Sequence, residues 1–582
     1  MKKKLLAVGL ALVMCVSLIG TAGAATHTVK AGDNLSKIAA EYLGDSSRWK
    51  EIYEANKDII SNPNAIYVGQ TLTIPGTDEP TTPDEPVKPT VTATPKVDKS
   101  TQPRIIITTD LEVDDMNGLM LSLMYATDYD LAGIVWTAGK FHFSGDGKGT
   151  TLGEFCEEIG GYEYSCEGGT AGFTVETLAD LTEFRPVDPT FLTRLIDVFY
   201  RADYEYLSKN NPNYPTPDYL LSIAKVGNIQ FEGDYREETD GSKLIYDVIM
   251  DDDMRPVYIQ HWGGINTTVR ALYSIYEDYH GTEQWDEVLA KVVAKVRISG
   301  NGEDNCRAFS KIDEMFPGLK ASDWTGFGGV GNYFNATKLG EGCLPFIGTN
   351  ETLNPYYQAE WLVDAFKFGH GQVMAQFHLM NDGQYIYGEP MHYQYGLKKY
   401  IDWSEGAELG WGDGAIMFTR MDYDTYDWMC CQFGCNSFVD LGLRQGITNS
   451  DDRYKVALFE DLAARADWAV MDPKDCNHAP VLSADKLDVT AKAGETVTLT
   501  GTAGDPDGDA LSVSWWVPAN AWTYGAATEE SALTVEVNGT SAQFTVPADA
   551  VSGDRFVINM EVKDTNVERP MTRYLQFTVT VK

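Results

Sequence analysis

The run Ile105-Ile-Ile-Thr-Thr-Asp110-Leu-Glu-Val-Asp114-Asp115-Met-Asn-Gly-Leu-Met constrains the fold more than any other stretch of the chain. Its first half is β-branched and apolar, as expected of a strand buried on both faces. Its second half reads as the start of a helix. A strand that passes three carboxylates to a helix start places them on the carboxyl edge of a parallel sheet, where open α/β sheets bind ligands. Further apolar runs, such as Pro256-Val-Tyr-Ile-Gln, alternate with helical stretches at 116–127, 191–209, 267–279, 285–295 and 357–368. Residues 102–476 are therefore expected to form an α/β domain, a mostly parallel sheet flanked by helices.

Three anions that close would raise one another's pKa values unless a cation sat among them. Carboxylate oxygens favour Ca2+, with Mg2+ possible, over zinc, and the body has no HExxH-type pattern. A cation there could orient sugar hydroxyls and activate a water while one carboxylate takes its proton. The bland alternative is a helix first turn whose acids merely complement the helix dipole.

Residues 1–25 read as a signal peptide. Lys2–Lys4 form the positive region, an apolar run follows, and Ala22-Gly-Ala24 offers small residues for cleavage. No later segment holds eighteen unbroken apolar residues. The formal charge of -39 disfavours nucleic-acid polymers and anionic membranes as partners. Nine cysteines include Cys15 in the leader, which leaves eight in an exported chain, and Cys156 with Cys166 is the likeliest local pair.

Residues 27–75 form a compact βααβ unit: a short strand from His27, helices at 35–42 and 49–56, and a returning strand at 68–75. Gly32-Asp33, Leu35, Ile38, Trp49, Asn56, Gly69-Gln70 and Leu72-Thr-Ile-Pro75 make it closely resemble LysM modules. The resemblance implies binding of peptidoglycan or another GlcNAc-containing glycan, with Asp33 and Asn34 lining the groove, and hence a secreted, cell-wall-associated protein. Residues 76–101 are a Pro/Thr-rich spacer. Residues 477–582 alternate with period two between turn-rich stretches, as in an Ig-like β-sandwich.

The Asp110-x-x-x-Asp114-Asp115 motif after an apolar strand resembles the N-terminal motif of the nucleoside hydrolases. Leu131-Ala-Gly-Ile-Val-Trp-Thr-Ala-Gly139, Trp262-Gly-Gly-Ile-Asn266 and Trp411-Gly-Asp413-Gly match later segments of that family. The resemblance implies Asp110 as general base and metal ligand, Asp115 and Asp413 as metal ligands, the Asn266 carbonyl as a further ligand, and Asp114 on a sugar hydroxyl. The reaction implied is cleavage of a glycosidic bond. The chain departs from the family pattern at Leu111-Glu112 in place of Pro-Gly, at Lys140, and at Gly412 where a leaving-group His is common. It also lacks a Glu-Phe-Asn ribose clamp.

The span 103–582 is similar to secreted proteins that join such a domain to an Ig-like domain and are described as a cellulose-binding family. That likeness implies a carbohydrate ligand more than a nucleoside. Asn301, Glu303 and Asp304 follow a strand expected at 292–298, where Asn301 and Glu303 could contact substrate. Trp262 and Trp411 could stack on a sugar ring. Asp505, Asp507 and Asp509 form either a Ca2+ turn or a plain one. Two functions remain open: a Ca2+-dependent hydrolase acting on a carbohydrate or nucleoside-like substrate, and a non-catalytic glycan-binding surface protein.

Overall fold

The structure is a computed structural model that describes residues 25–29, 34–57, 63, 66, 71–75, 98–111, 113–139, 142–158, 179–184, 189–301, 308–324, 356, 361, 363–377, 452–517, 524, 533 and 535–582. The chain divides into two compact units, Met1–Glu85 and Pro86–Lys582.

In the first unit β1 (Ala25–Thr28) pairs antiparallel with β2 (Thr71–Ile74). Helices α1 (Leu35–Leu43) and α2 (Trp49–Ala55) pack Leu35, Ile38, Ala39, Trp49 and Ile52 onto that ribbon. So small a unit buries little apolar area, and Asn56 supplies a polar lock. Its amide donates to the Ile52 and Thr73 carbonyls and its oxygen accepts from the Thr73 N–H, tying α2 to β2. Among the described residues no helix is long and apolar enough to cross a membrane.

The second unit carries a six-stranded sheet in the order β5-β4-β3-β6-β7-β8, every pairing parallel. Its strands are β3 (Arg104–Thr109), β4 (Asp130–Trp136), β5 (Ala224–Val226), β6 (Val257–His261), β7 (Val296–Asn301) and β8 (Lys320–Trp324). Every residue of β3 is buried because both faces are covered: Ile105 and Ile107 enter one core and Ile106 the other. The first core holds α3 (Val113–Met124) and the long helix α5, which runs as Phe191–Arg194, a π-helical segment Leu195–Tyr200, and Arg201–Asn210. The second holds α7 (Asp240–Met250), α8 (Asn266–Tyr279), α9 (Trp285–Lys295) and α10 (Ala308–Met315). Between them in the chain lie α4 (Leu152–Glu158) and α6 (Pro217–Ile223).

One expectation needs correction. The strand expected at 292–298 begins only at Val296, because Val288 and Val292 sit four residues apart on the buried stripe of α9. Cys156 is a buried free thiol, turned inward by α4 against Phe143, Phe155 and Phe231; its expected partner Cys166 lies outside the described residues. Burial, followed by the charge of Glu232, pushes that thiol up to about 11.

The C-terminal strands form a sandwich: a sheet in the order β10-β17-β16-β13 faces a smaller one, β11-β15-β14. Here β10 is Asp488–Ala491, β11 Thr496–Thr500, β13 Leu511–Trp516, β14 Val535–Asn538, β15 Ser541–Thr545, β16 Arg555–Asp564 and β17 Thr572–Val581, while β9 (Val481–Ser483) and β12 (Thr502–Gly504) form an antiparallel pair of their own. The sandwich shares a core with the α/β body, because Trp516, Met571 and Tyr574 join the same buried cluster as α3 and α11 (Asp452–Asp467). Buried ion pairs cross the same boundary. Asp461 of α11 is fully buried between Arg465 and Arg573, and Arg465 also grips Asp128 at 2.9 Å. Asp467 binds Arg569 at 2.7 Å and His370 at 2.6 Å. Burial pushes the Asp461 carboxyl up, but the Arg573 and Arg465 charges outweigh it and hold it below the usual carboxylate range.

Arg573→Ala would strand part of that buried charge. We expect a loss of about 3 kcal/mol of stability in denaturant unfolding near neutral pH, at the low end for a broken buried pair because Arg465 remains. Asp461 has a lowered folded pKa, so the wild-type advantage is present above the ordinary Asp value and fades as pH falls below it. A difference that persists unchanged into strong acid would contradict this account.

Candidate functional site

Three strand ends converge where the sequence motifs place them. β3 lies between β4 and β6, with Thr109 opposite Trp136 and Thr108 opposite His261. Beyond the last pairs the backbones stay zipped. Thr137 N–H donates to the Thr109 carbonyl, Trp262 N–H to Thr108, and Gly264 N–H to Ala138. Asp110 leaves β3 into this junction and is 2% exposed.

What makes room for its carboxylate is the absence of two side chains. A Cβ on Gly139 would lie 1.7 Å from Asp110 Oδ2, and one on Gly263 would lie 2.8 Å from Asp110 Cβ. The Ala-Gly and Gly-Gly turns of β4 and β6 are thus the walls of one slot.

The turn into α3 is strained and specifically hydrogen-bonded. Leu111 has φ +62°, the left-handed region, and is the one non-glycine residue with positive φ among the described residues. For an L side chain that conformation costs about 1–2 kcal/mol. Thr109 compensates in part: its hydroxyl accepts from the Leu111 N–H at 3.0 Å and donates to Asp115 Oδ2 at 2.7 Å. The Asp110 N–H also donates to Asp115 Oδ2, at 3.2 Å, so Asp115 is held at the junction and is 1% exposed. Asp114 lies in the first turn of α3; its side chain is outside the described residues.

Asn266 opens α8 and pins the third side. Its amide donates to the Asn228 carbonyl at 2.7 Å and the Asp234 carbonyl at 3.2 Å, and its oxygen accepts from the Thr137 hydroxyl at 2.8 Å. The side chain is therefore structural. The pinned loop carries Glu232, 1% exposed, whose Cγ would lie 3.3 Å from a Cβ on Gly264. Sequence reasoning missed Thr109, Thr137, Asn228 and Glu232. Thr109 and Thr137 lie inside the strand motifs, where a Thr reads as an ordinary strand residue; no local pattern marks Glu232.

Other expected residues fare differently. Trp262 is 1% exposed and belongs to the body core, with no hydrogen-bond partner for its indole nitrogen among the described residues; it has no face to offer a sugar. Asn301 ends β7, next to β6 through the His261–Gly300 pair, so its backbone reaches the same edge. Glu303, Asp304, Trp411, Asp413 and Asp33 lie outside the described residues. Asn34 accepts the Lys37 N–H at 2.8 Å as the N-cap of α1. In the sandwich turn, Asp505 Oδ1 accepts from the Asp507 and Asp509 N–H groups, the pattern of a plain Asx turn.

Among the described residues no group of three or more His, Cys, Asp or Glu side chains gathers as a metal cage. Asp115 is tied to the Asp110 main chain, and both carboxylates are hard-oxygen donors at the same strand end.

The family described as cellulose-binding Sde182, nucleoside hydrolase-like domain, matches residues 104–412, over half of the chain. LysM matches 27–75, and the C-terminal domain of cellulose-binding protein Sde0182 matches 496–581. A solved structure of a nucleoside hydrolase-related hypothetical protein from Saccharophagus degradans, titled as associated with carbohydrate metabolism, covers 83% of this chain and all of its own length. Its TM-score is 0.53 at 20% identity, a likeness of fold. The curated relatives match over about fifty residues each. The potassium binding protein Kbp of Escherichia coli is 45% identical over 8% of this chain and 33% of its own. The resuscitation-promoting factor Rpf of Micrococcus luteus is 46% identical over 9% and 23%. The chain thus spans a third or less of the length of these curated relatives.

Gly139→Ala tests the slot directly. The added methyl must displace Asp110, and we expect a loss of about 1–3 kcal/mol by denaturant unfolding, the usual range for overpacking. Gly504→Ala, whose Cβ would meet nothing within 4 Å, is the control expected to fall within about 0.5 kcal/mol of wild type. Equal stabilities for the two variants would refute the tight slot.

Proposed function

Because the chain belongs to the cellulose-binding Sde182 family with a nucleoside hydrolase-like domain, we propose that it is a glycan-binding protein of the cell surface whose body holds a sugar at a cation-supported carboxylate slot. The domain set supports an extracellular or surface setting, with residues 1–25 as an export signal and LysM holding peptidoglycan or another GlcNAc-containing glycan. The observation that carries the proposal is the placement of Asp110 between Gly139 and Gly263 on the carboxyl edge of the sheet.

In this reading Asp110 and Asp115 bind Ca2+ or Mg2+, joined by the Asn266 main-chain carbonyl and Asp413. Asp114 takes a sugar hydroxyl, while Asn301, Glu303 and Trp411 line the approach. Thr109 and the Asp110 N–H fix Asp115, so its carboxylate loses no conformational freedom when a ligand arrives. When bound, the cation supplies a Lewis acid that orders hydroxyls and acidifies a water.

The second reading, hydrolysis of a glycosidic bond in a carbohydrate or nucleoside-like substrate, is supported by the strained elbow at Leu111. Strain of that kind concentrates where a side chain must be aimed. Asp110 would then be the base that takes the proton from the attacking water. The missing ribose clamp and leaving-group His make binding without turnover at least as good a fit.

Calorimetry with Ca2+ on wild type and Asp110→Asn tests the slot; we expect at least a tenfold loss of cation affinity in the variant. Release of p-nitrophenol from p-nitrophenyl glycosides, and of base from nucleosides, then divides the readings. Turnover abolished by both EDTA and Asp110→Asn establishes hydrolysis, and Ca2+-dependent glycan binding with no turnover establishes the binder. Wild type that takes up no divalent cation ends both.

A further inference from the structure

A second concavity lies on the helical face of the body, away from the slot. It encloses about 490 Å³ between the loop that follows Phe231, helix α8 and helix α10. That volume falls within the range of about 300–1,000 Å³ typical of small-molecule sites. Tyr235, Tyr273 and Tyr276 line it, all partly buried, with Tyr235 and Tyr273 edge to face at 6.0 Å.

The chemistry of its polar groups selects the kind of ligand. Each cation in the lining already has a carboxylate partner. Arg270, 6% exposed, pairs with Glu277 and lies 4.9 Å from the Tyr273 ring centre. Lys311 pairs with Glu314 at 2.8 Å, and Arg236 pairs with Asp234 at 2.9 Å. An anion would have to displace these carboxylates from a chain that carries a formal charge of -39. A neutral polyol would not, because each hydroxyl both donates and accepts and can bridge an ion pair without breaking it. Tyrosine adds an apolar ring body suited to the C–H face of a pyranose and a hydroxyl tip for its rim.

We infer that this tyrosine-lined cleft between α8 and α10 is a second carbohydrate site, taking a short stretch of a neutral, unsubstituted glycan. It shares supporting elements with the first site. Asn266 bonds the carbonyl of Asp234, the residue before Tyr235, and Arg270 lies one helical turn beyond Asn266. The two sites are thus carried by the same loop and helix. The inference extends the glycan-binding reading but does not depend on a cation at Asp110.

The test is calorimetric titration of the full-length chain with cellohexaose, which lacks the N-acetyl groups that LysM modules read. The double variant Tyr235→Ala, Tyr273→Ala is expected to weaken binding at least tenfold. Lys311→Met, at a half-exposed position where folding is not at stake, should weaken it a few-fold. Circular dichroism on each variant separates lost binding from lost fold. Wild-type affinity in the folded tyrosine variant together with wild-type affinity in Lys311→Met overturns the assignment. Tighter binding of oligogalacturonate than of cellohexaose overturns the choice of a neutral ligand. Ca2+ affinity, measured on the same samples, reports the Asp110 slot separately. A chain that binds cellohexaose through the tyrosines but takes up no Ca2+ keeps this cleft and loses the cation reading.

Discussion

A carboxylate with almost no exposure, walled by two glycines, sets the terms for the rest of the body. Taking an anion out of water costs several kcal/mol unless charge or hydrogen bonds replace the lost hydration. The fold spends three strand ends on this one group. β4 and β6 must stop at glycines, their backbones must stay zipped to β3 past the last sheet pair, and Leu111 must adopt a left-handed conformation to carry the chain into α3. Such constraints make sense only if the sheet is parallel, because only then do three neighbouring strands end at the same edge. The central position of β3, reached by crossovers on both sides, is therefore as much a part of the site as Asp110 itself.

Much of this was legible in the chain because the same residues encode fold and site. The β-branched run before Asp110 specifies a strand buried on both faces, and the acids that follow specify its edge. The helix at 285–295 was readable to the residue, since its apolar positions recur at helical spacing and Lys295 ends it. The strand read at 292–298 was wrong for a related reason. Val292, Val293, Val296 and Ile298 are β-branched throughout, and propensity alone cannot say where the helical stripe ends; burial of Val288 and Val292 on one face decides it. Trp262 misled differently. Its neighbour Gly263 belongs to the slot, but adjacent residues at a strand end point to opposite sides, and the indole goes into the core. Glu232 could not have been found from sequence, because it reaches Gly264 through a loop whose path is set by Asn266 from a different element.

The sandwich joins the body by a different logic from that of a tethered module. A binding domain on a spacer keeps its own core and meets its neighbour through polar surface. Here Trp516, Met571 and Tyr574 complete a core that the α/β helices leave open, and α11 presents Asp461 and Asp467 to Arg573 and Arg569 across the boundary. Carboxylates so deeply buried need their partners, so the contact geometry is narrowly specified. The LysM unit has a complete small core of its own and the Asn56 lock, so it has no need of such contacts to fold.

That difference bears on how glycan recognition is distributed. Two readers of carbohydrate on one chain gain affinity from each other only if a single polymer, or two polymers in one matrix, can reach both. The LysM unit reads N-acetylated sugars, whereas the body presents a glycine-walled acid slot and, on the helices behind it, tyrosines set among neutralised ion pairs. Chemistries so unlike each other suit two different polymers better than two stretches of one. On the proposed reading, the LysM unit and the body therefore hold different polymers. The sandwich, by contrast, is held to the body by a shared core and buried ion pairs, so the two are specified together rather than as separable modules.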